Sequence, residues 1–469
     1  MLTRLEAHGF KNLLNFSVEF GPFTCLAGSN GVGKSNIFDL IRFLSLLADH
    51  PIMEAALSVR GTDPETSDLR ELFWTDGEHR IDSIRIGAEM IVEAEVVDDF
   101  GRRGRASSTF LRYELEIGYE PPAGRGHLGR LTLKSERLDY ITQGDATRRL
   151  RFPHTPRFRN AVVQNRRRAK TGYISTEVAE DGQIEILVHQ DGGSSGNPKA
   201  HAASAPRTIV ATANTAATPT ILAARREMQK WRVLALEPSA MRRADRFHSS
   251  TQIDPGGAHL PATLFRLASE AESDGGSERL YARIATRLAE LVPVRDLRVD
   301  VDEIRQLLSL EVRESEGVAL PARSLSDGTL RFLTLCVLRE DTAFRGLVCM
   351  EEPENGIHPA RMQAMVGLLK DFPVETDVSP GTSNPFRQVI VATHSPFFVQ
   401  LQEKDDLVFA TAARIRGPFG KPTATLRCRP RTKSWRAEGA SDQGVGERVI
   451  LDYLQAPPNT QTTLPFDVD

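Results

Sequence analysis

Gly28-Ser29-Asn30-Gly31-Val32-Gly33-Lys34-Ser35 decides how the rest of the chain is read. The stretch fits G-x-x-x-x-G-K-[ST], a phosphate-binding loop, and each position has a chemical reason. The glycines let the backbone curl until successive N–H groups converge on phosphate oxygens. Lys34 supplies a cation for the β- and γ-phosphates, and the Ser35 hydroxyl is suited to ligate Mg2+. Residues 23–27 (Phe-Thr-Cys-Leu-Ala) form a short apolar run, as a buried strand requires. Ile37, Leu40, Ile41, Leu44 and Leu47 then recur at helical spacing. They predict a helix that ends near Asp49 and turns its positive N-terminal dipole toward the phosphates. Strand, loop and helix in that order separate a phosphate loop from a chance glycine-rich turn.

Outward from the loop, the chain divides into five expected parts: 1–50, 51–218, 219–314, 315–410 and 411–469. Residues 2–27 read as three short strands, with Phe16, Val18 and Phe20 alternating with polar residues. Residues 51–78 are irregular and polar. Residues 81–150 alternate like antiparallel strands around Ile84/Ile86, Ile91 to Val97, Phe110 to Ile117 and Leu131 to Ile141, with turns at Pro121-Pro122 and Gly124 to Gly129. Tyr173 to Val188 reads as one more hairpin, completing a β-rich arm. Residues 191–218, rich in Gly, Ser, Ala, Pro and Thr, are expected to form a flexible loop at its tip. From 219 the pattern becomes helical, interrupted by a strand at Val233 to Leu236; Leu280, Ile284, Leu288 and Leu291 mark one amphipathic face.

Within the arm, residues 148–170 carry Arg148, Arg149, Arg151, Arg157, Arg159, Arg166, Arg167, Arg168 and Lys170, interleaved with Phe152 and Phe158. Two readings stand: a contact to a nucleic-acid backbone, or a solvated charged surface. The whole chain does not decide between them, since 59 basic against 62 acidic residues give a net charge of −3 and no global field for a polyanion. The four cysteines, Cys25, Cys336, Cys349 and Cys428, are far apart and include no C-x-x-C pair, which argues against a zinc site or a disulfide framework. No run approaches the roughly 18 apolar residues of a membrane span, and the start lacks a signal-peptide core. A cytoplasmic protein without a membrane partner is expected.

Three later stretches narrow the function. Ser324-Leu325-Ser326-Asp327-Gly328-Thr329 precedes an apolar helix face through Leu330, Leu333 and Val337. By itself it reads as an N-cap or as a second anion site at a helix start. Leu347-Val348-Cys349-Met350-Glu351-Glu352-Pro353 is a buried strand ending in two acids, suited to holding Mg2+ and polarising a water. Val389-Ile390-Val391-Ala392-Thr393-His394-Ser395-Pro396 is another buried strand, ending in a histidine. Each signal has a structural explanation alone, and together they support one another.

With these four motifs the chain resembles the ABC-type ATPases of the SMC/RecF/OLD group. Residues 28–35 match Walker A, with Asn36 completing the G-K-S-N form common there. Ser324 to Thr329 match the signature, and Leu347 to Glu352 match Walker B with its catalytic glutamate. Glu354-Asn355-Gly356-Ile357-His358-Pro359 match the D-loop, His394 matches the switch histidine, and Phe10-Lys11-Asn12 resembles the group's opening. Weaker likeness lies at Leu234 to Arg242 and Gly257 to Leu267. The resemblance implies a P-loop ABC-type ATPase head, a mixed α/β fold, carrying a β-rich arm insertion and a helical lobe. It departs from the group in two respects: Glu351 stands where Asp is usual, and no glutamine is found where a Q-loop is expected.

What the resemblance implies for the site is a sandwich of two heads around two ATP molecules with Mg2+. Asn30, Gly31, Val32, Gly33, Lys34, Ser35 and Asn36 of one subunit would hold the nucleotide, and Ser35 and Glu351 the metal. Ser326 and Gly328 of the other subunit would close on the γ-phosphate, with Glu352 polarising water and His394 positioning it. A homodimer or higher homo-oligomer through ATP follows. A TOPRIM nuclease, as in OLD relatives, needs an acid followed by D-x-D. Asp467-Val468-Asp469 is terminal and Asp300-Val301-Asp302 reads as a surface turn, so a nuclease is expected as a separate protein. Three roles are therefore weighed: the ATPase half of a two-gene antiviral system controlling a nuclease or toxin effector, a RecF-like repair ATPase that acts on DNA, and an ATP-stabilised scaffold around a toxin. The N-terminal pattern disfavours a transporter motor, and the lack of Asn-Lys-x-Asp disfavours a GTPase.

Overall fold

Strand Phe23–Ala27, which feeds the glycine-rich loop, lies inside a six-stranded sheet. The order is Trp231–Leu234, Gly346–Glu351, Arg387–Thr393, Phe23–Ala27, Leu407–Arg416 and Pro422–Pro430, parallel except for the last pair. The computed structural model describes residues 1–59, 68–122, 129–167, 171–191, 199–271, 275–314, 317–438 and 444–450. The three central strands read as unbroken apolar runs because both of their faces are covered. Leu26, Leu347, Cys349, Ile390 and Ala392 join one core with helix Lys34–Leu47 and the arm. The alternate residues Cys25, Val348, Met350, Val389 and Val391 join a second core with helices Leu260–Glu270, Gly276–Leu288, Asp327–Glu340 and Met362–Lys370. The period-2 alternation of a strand thus assigns one face to the arm side and one to the lobe side.

The arm is an eight-stranded antiparallel sheet, and it does not begin at residue 51. Leu2–His8 and Phe16–Glu19 form its near edge, with Leu2–His8 paired to Ser83–Ile91. Phe110–Glu120, Arg130–Tyr140, Ile174–Val178, Ile184–Val188 and Lys199–His201 follow in that order. The first two strands of the expected N-terminal half therefore belong to the arm. Only the third belongs to the nucleotide-type sheet.

Other expectations change for identifiable reasons. The described part of 191–218 is built into the arm as strand Lys199–His201 and helix Ile209–Thr212, with Val210 and Ala202 fully buried. Its small residues allow close packing; 192–198 lie outside the described residues. Strand Trp231–Leu234 interrupts the helical lobe to pair with Gly346–Glu351, and the lobe carries its own four-stranded sheet around Val294–Asp302 and Leu307–Glu314. Asp300-Val301-Asp302 is the end of a strand, not a turn; the turn follows it. The C-terminal extension supplies the core sheet's antiparallel edge. Of the glycine turn at 124–129, residues 124–128 lie outside the described residues, as does Asp467-Val468-Asp469.

Four of the seven described arginines in the basic stretch are engaged. Arg148 pairs with Asp145 at 2.7 Å, Arg151 with Glu19 at 2.9 Å, and Arg149 with buried Glu89. Arg167 lies over the Tyr173 ring and donates to the Gly172 and Thr171 carbonyls. Phe152 and Phe158 are core residues. Arg157 and Arg166 are exposed and Arg159 half-buried; Arg168 and Lys170 lie outside the described residues.

Candidate active site at the carboxyl edge of the core sheet

Three neighbouring parallel strands end level with one another. Glu351 pairs with Ala392 across one ladder, and Thr393 pairs with Ala27 across the next. The glycine-rich loop, the paired acids and His394 therefore emerge side by side from one edge, where α/β sheets collect ligands. This edge brings together residues separated by most of the chain.

Lys34 opens helix Lys34–Leu47, and its Nζ donates to the Gly28 and Ser29 carbonyls at 2.7 and 2.8 Å. Burial lowers the Lys34 pKa, while the carboxylates of Glu352, Glu351 and Glu354 pull it back up. Gly33 has φ +106, and a Cβ there would lie 2.3 Å from Asn12 Nδ2. That position is closed to any side chain on both counts. Asn12 in turn donates to the Val32 carbonyl at 3.0 Å and accepts from Asn36 Nδ2 at 2.8 Å. Asn12 is thus a brace for the loop that the motif reading passed over, although the Phe10-Lys11-Asn12 opening had marked its position. Asn30 and Gly31 are exposed, and Val32 and Ser35 half-buried.

Glu351 is the solvent-facing last residue of its strand. Glu352, just beyond, has a left-handed backbone with φ 47, and its N–H is held by the Ala392 carbonyl at 2.8 Å. A non-glycine residue in that region is held there by its surroundings. Its carboxylate is fixed from two sides. His394 Nδ1 lies 2.7 Å from Oε1, and Asn355 Nδ2 donates to Oε2 at 2.7 Å. A carboxylate oriented by a histidine and an amide, half open to solvent, is arranged to take a proton from water.

Ser326 and Gly328 stand on a separate element, at the start of helix Asp327–Glu340, which packs against the turn that follows Glu352. The Ser326 hydroxyl accepts from Thr329 N–H at 3.2 Å, so the N-cap reading of this residue describes what it does within the chain. Gly328 packs on the turn after Walker B: a Cβ there would lie 2.1 Å from the Gly356 carbonyl oxygen. Arg331, one turn along, donates to the Asn355 carbonyl at 3.2 Å. Arg242, in the weakly matching stretch, holds the Leu325 carbonyl at 3.0 Å and pairs with Asp327. His358 caps the short helix Pro359–Arg361 by accepting from Ala360 N–H.

No curated protein matches this sequence. Among solved structures, an Smc head bound to the C-winged helix domain of ScpA is similar at 14% identity and TM-score 0.46, covering 91% of this chain and 97% of that one. An Smc head with an extended coiled coil, bound to the C-terminal domain of ScpA and derived from Pyrococcus furiosus, gives 10% and 0.42, covering 92% and 96%. The SMC head domain from Thermotoga maritima gives 10% and 0.37, covering 92% and 98%. The family described as "AAA domain, putative AbiEii toxin, Type IV TA system" matches residues 23–400, from the strand before the loop to beyond His394. The chain belongs to that AAA-domain family and has a mixed α/β architecture with the phosphate-type loop between a core strand and a helix.

Proposed function

We propose that this head binds ATP, dimerises around it and hydrolyses it to control a separate effector protein. The observation that carries the reading is the convergence at one sheet edge of Lys34, Glu351, Glu352 and His394, while Ser326 and Gly328 stand on a different helix. Lys34 and the N–H groups of residues 30–36 would hold the phosphates. Ser326 and Gly328 would complete the site of a second copy. The donor set at the edge fits Mg2+: a hydroxyl at the helix start and a solvent-facing carboxylate, both hard oxygen ligands. Ser35 and Glu351 would hold it, and Mg2+ when bound neutralises phosphate charge. Glu352, steadied by His394 and Asn355, would accept the proton of the attacking water.

The effector is read as a nuclease or toxin encoded beside this chain in an antiviral system. The words "putative AbiEii toxin, Type IV TA system" in the family description support a toxin or defence setting. A DNA-repair role receives less support, because four of the seven described arginines of 148–167 already have carboxylate or carbonyl partners within the chain, with Arg148 and Arg149 still exposed. The test uses Glu352→Gln, which should bind ATP and turn it over poorly. Expressed with its neighbouring genes and purified in Mg·ATP, it should retain a stoichiometric second protein with nuclease or toxin motifs. Recovery of a lone dimer carrying DNA would replace this reading with the repair one.

A further inference from the structure

Glu354 lies in the turn that carries Glu352 and is itself turned inward, with 8% of its surface exposed. The Thr393 hydroxyl donates to one of its carboxylate oxygens. Thr393 is a junction: its hydroxyl accepts from Ser395 N–H at 2.9 Å, and its carbonyl accepts from Gly28 N–H at 3.2 Å. His394 therefore sits between Thr393 and Ser395, whose N–H the Thr393 hydroxyl holds. The second oxygen of Glu354 is buried without a hydrogen-bond partner among the described residues. Burial pushes this carboxyl above the usual range despite the Thr393 bond, and the neighbouring Glu352 charge pushes the same way.

We propose that Glu354 is a positioning residue that clamps the Glu352 turn, through Thr393, to the strand end carrying His394, and so sets the Glu352–His394 contact used in turnover. The clamp deepens the ATPase reading and rests on it. It asks only for an acceptor at the Thr393 hydroxyl, so the neutral side chain performs it. An amide oxygen can accept the same bond, whereas an alkyl group cannot. The role differs from that of Glu352, because the Glu354 carboxyl is turned inward while that of Glu352 is half open to solvent.

The test compares Glu354→Gln, Glu354→Ala and Thr393→Val in the full chain, by steady-state ATP turnover, affinity for a fluorescent ATP analogue, and thermal melting. Glu354→Ala and Thr393→Val should each lower kcat about tenfold or more with KM and affinity within about twofold, the signature of an interaction used only in turnover. Glu354→Gln should keep at least half of wild-type kcat, and the Glu354→Ala/Thr393→Val pair should be no slower than either single variant. Unchanged kcat in Glu354→Ala would make the residue mere filling. A Glu354→Gln variant as slow as Glu354→Ala would show that the acid itself is needed and overturn the clamp. If Glu354→Ala fails to fold, Thr393→Val and Glu354→Gln decide the same question. If the wild type binds nucleotide without turning it over, the ATPase reading fails. The clamp is then judged by the His394 ring 15N shifts, which Thr393→Val should move and Glu354→Gln should not; any other pattern rejects it.

Discussion

Glu136 in the arm and Glu354 at the head's edge are both buried acids, and the protein uses them in opposite ways. Glu136 is wholly buried and fully bonded: it accepts from Ile209 N–H at 2.6 Å, Val210 N–H at 2.9 Å and the Tyr113 hydroxyl at 3.1 Å. It rivets the start of helix Ile209–Thr212 to the middle of the arm sheet. Glu354 uses one oxygen and leaves the other idle. A saturated carboxyl holds structure together, while a half-used one holds a neighbour in place. Arm substitutions should therefore be read in stability, and edge substitutions in turnover.

The sharpest way to break this contrast is at the edge. Glu352→Gln should lower ATP turnover by about 100-fold or more, measured as phosphate release, with melting unchanged. A large fall in melting temperature would mean that the strained turn at φ 47 is itself structural. The arm counterpart is Glu136→Ala, which strands three buried donors and should cost about 3 kcal/mol in chemical denaturation, with turnover per folded molecule unchanged.

The same residue predicts a pH dependence. Burial raises the Glu136 pKa from 4.5 to about 7, outweighing its three donors. A folded value above the unfolded one contributes stability that is whole below about pH 4.5 and is lost as pH rises through about 7. Denaturation between pH 5 and 8 should show a decline on the order of 3 kcal/mol from this group, at about 1.4 kcal/mol per unit. Glu136→Gln should flatten the slope, although its amide N–H2 fits poorly against backbone donors. A smaller effect is expected from Asn12→Ala, which removes the brace on Val32 and Asn36. It should weaken nucleotide binding about three- to tenfold by titration, in keeping with about 1 kcal/mol for a hydrogen bond. Smallest of all, reversing Arg157, Arg159 and Arg166 to Glu should move stability by no more than about 0.5 kcal/mol. Loss of salt-sensitive DNA retention in that variant would assign these arginines a nucleic-acid role.

How much of this could be read from sequence depended on how local the signal was. The strands at 23–27, 346–351 and 387–393 were legible because two-sided burial writes continuous apolar runs. The loop was legible because its glycines answer to backbone geometry. The arm membership of Leu2–His8 was not, since alternation tells which face is buried and not which strand lies beside it. Residues 199–212 looked featureless because Ala, Ser and Thr carry little periodic contrast, yet their backbone N–H groups meet Glu136 from another strand. Thr393 and Glu354 sat inside recognised motifs, and only their meeting across 39 positions gives them a role.

The flush parallel ladder has a consequence for how the protein is made. Strand Phe23–Ala27 has as its neighbours Arg387–Thr393 and Leu407–Arg416. On a ribosome, the phosphate loop must therefore wait, tethered but unsupported, until residues 387–416 have been synthesised. Leu2–His8 meets its partners within the first hundred residues, so the arm can fold while translation continues. A nascent chain halted before residue 387 would present a folded arm with an unformed nucleotide pocket.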